Sequence, residues 1–158
     1  MASRKIDFAK VTAADRALVE SAIDAREFAH APWSQFKVGA AAKFGGKVVK
    51  GCNVEFDVYG LTNCAERTAI FAAYASGAAR QRMTAIAIVT DTPHPASPCG
   101  ACRQVMFECG GADLRVILSN VRGEVRVARM GDLLPGGFEL EPLAKRKAAT
   151  KKTARKKH

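Results

Sequence analysis

Aromatic residues make up 7% of the 158 residues, with one Trp and two Tyr. No apolar run approaches the roughly 18 to 20 residues that a membrane span needs, which argues against a membrane protein. The opening "MASRKIDFAK" lacks the apolar stretch of a secretory signal, so the expected location is cytoplasmic. There is no G-x-G-x-x-G or Walker-type glycine loop, which removes the support for nucleotide binding of those kinds. Internal repeats are absent too. Five cysteines are an odd number for a disulfide framework, and in a reducing compartment their clustering favours a metal or catalytic use.

A composition that is 48% apolar and 25% charged suits one globular domain. The formal charge of +10 divides unevenly, because the eight basic residues of "KRKAATKKTARKKH" leave only about +2 for the rest of the chain. Residues 145–158 carry no acid and no apolar periodicity, which predicts a disordered, solvated tail behind a domain spanning 1–144. Such a tail is also suited to salt-sensitive, sequence-independent contact with nucleic acid.

Thr12 and Asp15 read as a capping box, and Leu18, Val19, Ala22, Ile23 and Ala29 recur at helical spacing until Pro32. Two strands, "FKVGAAAKF" and "KVVKGCNV", flank the hairpin turn predicted at Gly45-Gly46. A helix from Cys64 to about Gly77 and the buried strand "MTAIAIVT" follow. After the proline-rich loop "DTPHPASP" come a helix over "CGACRQVMFEC" and the strands "LRVILS" and "EVRVAR". Helices alternating with buried strands predict a three-layer α/β/α sandwich around a mixed sheet of roughly five strands.

The chemistry concentrates in a few positions. Cys99 and Cys102 share one face of a helix's first turn, a pattern open to either a zinc half-site or a redox pair. Cys64 also opens a helix, so the three thiols can converge where helix dipoles favour thiolate. Three protein ligands on Zn²⁺ leave a fourth position for water, as in catalytic zinc sites. Glu66, two residues beyond Cys64, is better placed beside that water as a proton carrier than on the metal. Three thiolates and one Zn²⁺ sum to a net negative charge, which Arg67 and the helix dipoles would offset. A structural four-cysteine site that includes Cys52 is the competing reading, although Cys52 sits in a predicted strand and is expected to pack in the core. Cys109, His30, His94 and His158 read as filler, helix-end, loop and tail residues.

"CAER" at 64–67 with "SPCGACRQV" at 97–105 resembles the zinc signature of the small homotetrameric cytidine deaminases of pyrimidine salvage. "WSQFKVGAA", "GCNVE" and "LLPGGF" resemble further family segments in the right order, so the likeness runs from about 11 to 140. The resemblance implies zinc on Cys64, Cys99 and Cys102, proton transfer by Glu66, and Arg67 hydrogen-bonded to cysteine sulfur. It further implies ribose contacts from Asn53 and Glu55, packing of Phe36 on the nucleoside, and Phe138 completing a neighbouring subunit's pocket.

One departure stands out against the family's Asn-Val-Glu-Asn-Ala-Ser-Tyr. Here the segment reads "NVEFDVY", and the resemblance implies that Phe56, Asp57 and Val58 lie near the base and the subunit contacts. The resemblance therefore implies hydrolysis of cytidine or 2′-deoxycytidine, with a modified cytosine nucleoside such as blasticidin S as the alternative. Glu55 argues against that alternative, because blasticidin S deaminases lack the ribose-binding Asn-Val-Glu. Editing of polynucleotides is disfavoured by the lack of an extra segment to form a channel.

Overall fold

The computed structural model describes residues 9–140. The element order is α1 (Ala13–Arg26), β1 (Val38–Phe44), β2 (Lys47–Cys52), a 3₁₀ turn (Tyr59–Leu61), α2 (Ala65–Ala75), β3 (Met83–Thr90), α3 (Gly100–Gly110), β4 (Arg115–Asn120), β5 (Val125–Arg129) and α4 (Met130–Leu133). The five strands form one sheet in the order β2-β1-β3-β4-β5. Only β3 and β4 pair in parallel, with α3 crossing between them.

Strand alternation sorts the core into two layers. Ala40, Ala42 and Phe44 of β1, Ile86 and Ile88 of β3, and Val116 and Leu118 of β4 pack with α2 and α3. Their neighbours Ala41, Ala87, Val89 and Ile117 turn to the other face and meet Leu18, Val19 and Ala22 of α1. The expected α/β/α sandwich is therefore the observed one. Small residues let the helices sit low on the sheet: a methyl group at Gly39 would collide with α1 backbone at Ala22, and one at Gly51 with α2 backbone at Ala69.

Local signals place most boundaries. Thr12 caps α1, with its hydroxyl accepting from the Asp15 N–H at 3.2 Å while Asp15 Oδ2 accepts from the Thr12 N–H at 2.7 Å. Arg115 adds two 2.7 Å bonds to the same carboxylate. Gly45, at φ 57°, turns the β1–β2 hairpin, and Gly111, at φ 70°, ends α3. The Cys64 side chain provides no cap for α2, a deficit of about 1 kcal/mol. Burial of Ala69, Ile70 and Ala73 outweighs it, since one fully buried Ile side chain contributes about 1.5–3 kcal/mol.

One boundary differs from the sequence reading. Helix α1 ends at Arg26 instead of running toward Pro32, which leaves Ala29 outside it, and Ile23 is exposed. The cause is a competing backbone pairing: the His30 N–H donates to Asn53 O at 3.0 Å, and the Glu55 N–H donates to His30 O at 2.8 Å. This pairing draws residues 30–36 toward 53–55 and builds one wall of a cavity. The predicted tail at 145–158 and the end of the domain at 144 lie outside the described residues.

Candidate active site

The N-termini of α2 and α3 meet on the sheet, and each begins with a cysteine in the N-cap position. Cys64 Sγ lies 3.9 Å from Cys99 Sγ, and the sulfurs of Cys64, Cys99 and Cys102 all fall within 4.8 Å of one another. Tetrahedral zinc with bonds of about 2.3 Å to sulfur requires ligand separations of about 3.8 Å, so this donor set fits Zn²⁺. Cys52 stands apart from the group. Its half-buried thiol donates to Phe28 O at 3.3 Å, which removes it from the four-cysteine reading.

The local electrostatics favour anionic sulfur. A hydrogen bond from Cys102 holds the Cys64 thiol down to about 5, with help from Arg67 and Cys99 and against the cost of burial. The hydrogen bond shared with Cys64, together with burial, pushes the Cys102 thiol up. Arg67 Nη2 donates to Cys64 Sγ at 3.6 Å, while Arg67 Nε is buried with no hydrogen-bond partner among the described residues. The Arg67 guanidinium thus lies against the sulfur of Cys64. Glu66 is only 4% exposed, and burial raises its carboxyl above the usual range, with the Cys64 charge adding to the effect.

A cavity of about 270 Å³ opens over this cluster, and Phe36, Asn53, Glu55, Cys64, Glu66 and Cys99 all line it. Asn53 also braces its own wall: Oδ1 accepts from the Val38 N–H at 2.8 Å, and Nδ2 donates to Phe36 O at 2.8 Å. Glu55 accepts from the N–H groups of Trp33 and Ser34 at 3.1 Å each, and from the Ser34 hydroxyl. The Ser34 bonds come first among the causes that lower its pKa, so it stands as a fixed carboxylate at the cavity wall.

Ser34, Tyr59, Thr62, Ile88 and Thr90 line the same cavity, although the sequence does not single them out. Only Ser34 carries a usable signal, as a hydroxyl inside the family-like segment "WSQFKVGAA". Thr62 Oγ1 is buried with no hydrogen-bond partner among the described residues. The remaining polar candidates lie elsewhere: Cys109 Sγ is 3.6 Å from Tyr74 Oη, and His94 Nδ1 is 3.0 Å from Glu124 Oε2 at the surface. Phe138 is exposed, and its backbone is held at both N–H and C=O by Gln104.

Comparison with known proteins agrees with this geometry. Residues 12–118 match the family described as the cytidine and deoxycytidylate deaminase zinc-binding region. A cytidine deaminase of Halalkalibacterium halodurans is 50% identical over 127 residues, which cover 80% of this chain and 95% of that protein. One from Mycobacterium tuberculosis is 44% identical over 124 residues, covering 78% and 88%. The crystal structure of cytidine deaminase from Burkholderia pseudomallei superposes with a TM-score of 0.74 at 55% identity, covering 81% of this chain and 100% of that one. By the matched family region, the identity over most of the chain and the shared fold, the protein belongs to the cytidine deaminase family.

Proposed function

We propose that this protein is a zinc-dependent hydrolase that converts cytidine and 2′-deoxycytidine to the corresponding uridine and ammonia, serving pyrimidine salvage in the cytoplasm. The observation that carries the reading is the convergence of three sulfurs and a buried carboxylate at one end of a cavity whose other wall holds Asn53, Glu55 and Phe36. Cys64, Cys99 and Cys102 would hold the zinc ion. When bound, zinc supplies a Lewis-acid centre that lowers the pKa of water from ~15.7 toward ~7.

The chain's own groups do the rest. Glu66, the carboxylate beside the sulfur cluster, accepts a proton from the attacking water and delivers it to N3 of the pyrimidine. Glu66 then takes the proton of the new C4 hydroxyl and passes it to N4, so that the C4 carbonyl forms as the C4–N4 bond breaks and ammonia leaves. The raised pKa of Glu66 suits a group that must both take and release a proton. Glu55 accepts from the ribose hydroxyls, and the uncommitted Nδ2 hydrogen of Asn53 donates to them, so the pair selects a sugar that carries such groups. Phe36, 41% exposed at the cavity rim, packs on the nucleoside.

A homotetramer is the proposed assembly. Phe56, Val58, Tyr59 and Leu61 are all more than half exposed on one short segment, and Phe138 is 65% exposed, an apolar surface suited to burial against another copy. No helix among the described residues is long and apolar enough to cross a membrane.

The test is a substrate panel of cytidine, 2′-deoxycytidine, 5-methylcytidine, blasticidin S and a single-stranded oligonucleotide, assayed for ammonia and for loss of the C4 amine. Cytidine and deoxycytidine should lead. Leading turnover of blasticidin S or the oligonucleotide would refute the assignment. Removal of residues 145–158 should leave nucleoside turnover unchanged if the catalytic domain ends at 144.

A further inference from the structure

Asn120 ends β4, directly opposite Thr90 in the parallel pairing with β3, and is 1% exposed. Its side chain is saturated. Oδ1 accepts from the N–H groups of Arg122 at 3.1 Å and Glu124 at 3.0 Å, which closes the β4–β5 turn. Nδ2 donates to Thr92 O at 3.2 Å and Pro93 O at 3.1 Å, which fastens the start of the loop after β3. That loop continues through Ala96, Ser97 and Pro98, which wall the cavity, to Cys99.

The loop has a second anchor at its far end, where Arg103 donates to Ser97 Oγ and Pro98 O at 2.8 Å each. The remaining contacts of the loop and its approach are a hydroxyl chain and two charged pairs, of which the charged pairs are weak. The Thr92 hydroxyl joins Thr90 Oγ1 at 2.7 Å and donates to His94 O at 2.5 Å. The His94–Glu124 pair is exposed, as is the 3.8 Å pair between Arg26 and Asp91 on its Asp91 side, and surface pairs of this kind fix geometry poorly. Asn120 and Thr90, both buried at strand ends, fasten the loop start to the sheet, and only Asn120 of the two also holds the β4–β5 turn.

We propose that Asn120 is a positioning residue for the deamination site: through Thr92 and Pro93 it fixes the loop that walls the nucleoside cavity and presents Cys99 to the metal. Asn suits the task for a reason of chemistry, because two N–H groups approach one end of its side chain and two carbonyl oxygens the other. An amide alone supplies both acceptor and donors. The inference rests on the zinc and nucleoside assignments proposed above.

Asn120→Asp separates the two halves of the side chain. A carboxylate still accepts from Arg122 and Glu124, but it turns an oxygen toward the carbonyls of Thr92 and Pro93, so the turn survives and the loop is released. The expected result is a folded protein whose KM for cytidine rises about tenfold with a smaller change in kcat, and which loses zinc to a chromogenic chelator about tenfold faster, in the range seen when outer partners of metal ligands are removed. Ser119→Ala is the control. It removes the 2.9 Å bond from Ser119 Oγ to Glu124 O at the same turn without touching the loop, and should change neither readout.

A folded Asn120→Asp protein with KM and zinc loss within twofold of wild type overturns the proposal, as does an equal effect from Ser119→Ala. Should Asn120→Asp fail to fold, Asn120→Ser decides, since a hydroxyl can still accept from the turn N–H groups but is too short to reach the carbonyls of Thr92 and Pro93. A shift of both readouts in the same direction supports the proposal, and unchanged values overturn it. A wild-type protein that holds no zinc would instead overturn the site assignment itself, and with it this inference.

Discussion

Helix α1 and the helix pair α2 and α3 start in opposite ways. Helix α1 begins with a complete capping box, and its Asp15 is further tied to Arg115, so every polar group at that end serves stability. Helices α2 and α3 begin at Cys64 and Cys99, neither of which makes a side-chain cap hydrogen bond. A Ser at either position would contribute about 1 kcal/mol of capping. The free N-termini are instead aimed at a shared point where sulfur, helix dipoles and Arg67 favour a thiolate cluster. One helix start is optimised for folding, and the other two give up local stability for a metal site.

The sharpest way to break this contrast is to convert a functional start into a structural one. Cys99→Ser should remove zinc and abolish cytidine turnover, yet the metal-free protein should be at least as stable as metal-free wild type, with a gain of up to about 1 kcal/mol in denaturant unfolding. A variant that kept zinc and activity would dissolve the distinction. Replacing the other kind of start should do the reverse. Asp15→Asn should cost about 2 kcal/mol at pH 7 while leaving turnover of the folded protein unchanged, because Arg115 first, then the Thr12 contacts, holds the Asp15 carboxyl down to about 2.

The sign for Asp15 follows from its lowered pKa. Its contribution is present above the unfolded value near 4 and is lost as pH falls toward 2, so the unfolding curves of wild type and the Asp15→Asn variant should converge over that window. The smallest effect expected is from Thr12→Ala, about 1 kcal/mol of stability with no change in KM.

The same contrast explains what the sequence discloses. Capping residues, the Gly45 turn and apolar alternation are local signals, and the strands and helix starts follow them closely. The three-sulfur cluster is legible because P-C-x-x-C and C-A-E are each compact and each opens a helix with a thiol. What stays hidden depends on pairing between distant segments. The end of α1 at Arg26 is set by His30 reaching Asn53 and Glu55, and no residue between 26 and 32 announces it. Ser34, Thr62 and Thr90 enter the cavity wall only once the chain has folded. In the sequence Asn120 is only the residue after the strand "LRVILS", and its pair of hydrogen bonds across 27 and 28 residues to the site loop is a product of parallel pairing between β3 and β4.

The central claim is that Glu66 moves protons beside a metal held by three cysteines, without being a ligand. The most direct test is Glu66→Gln, with zinc content and uridine formation measured on the same preparation. The account predicts zinc content equal to that of wild type and turnover lower by about 10²–10⁴-fold, the usual share of general acid–base catalysis. Turnover within a few-fold of wild type, or zinc lost from a protein that still folds, would contradict it.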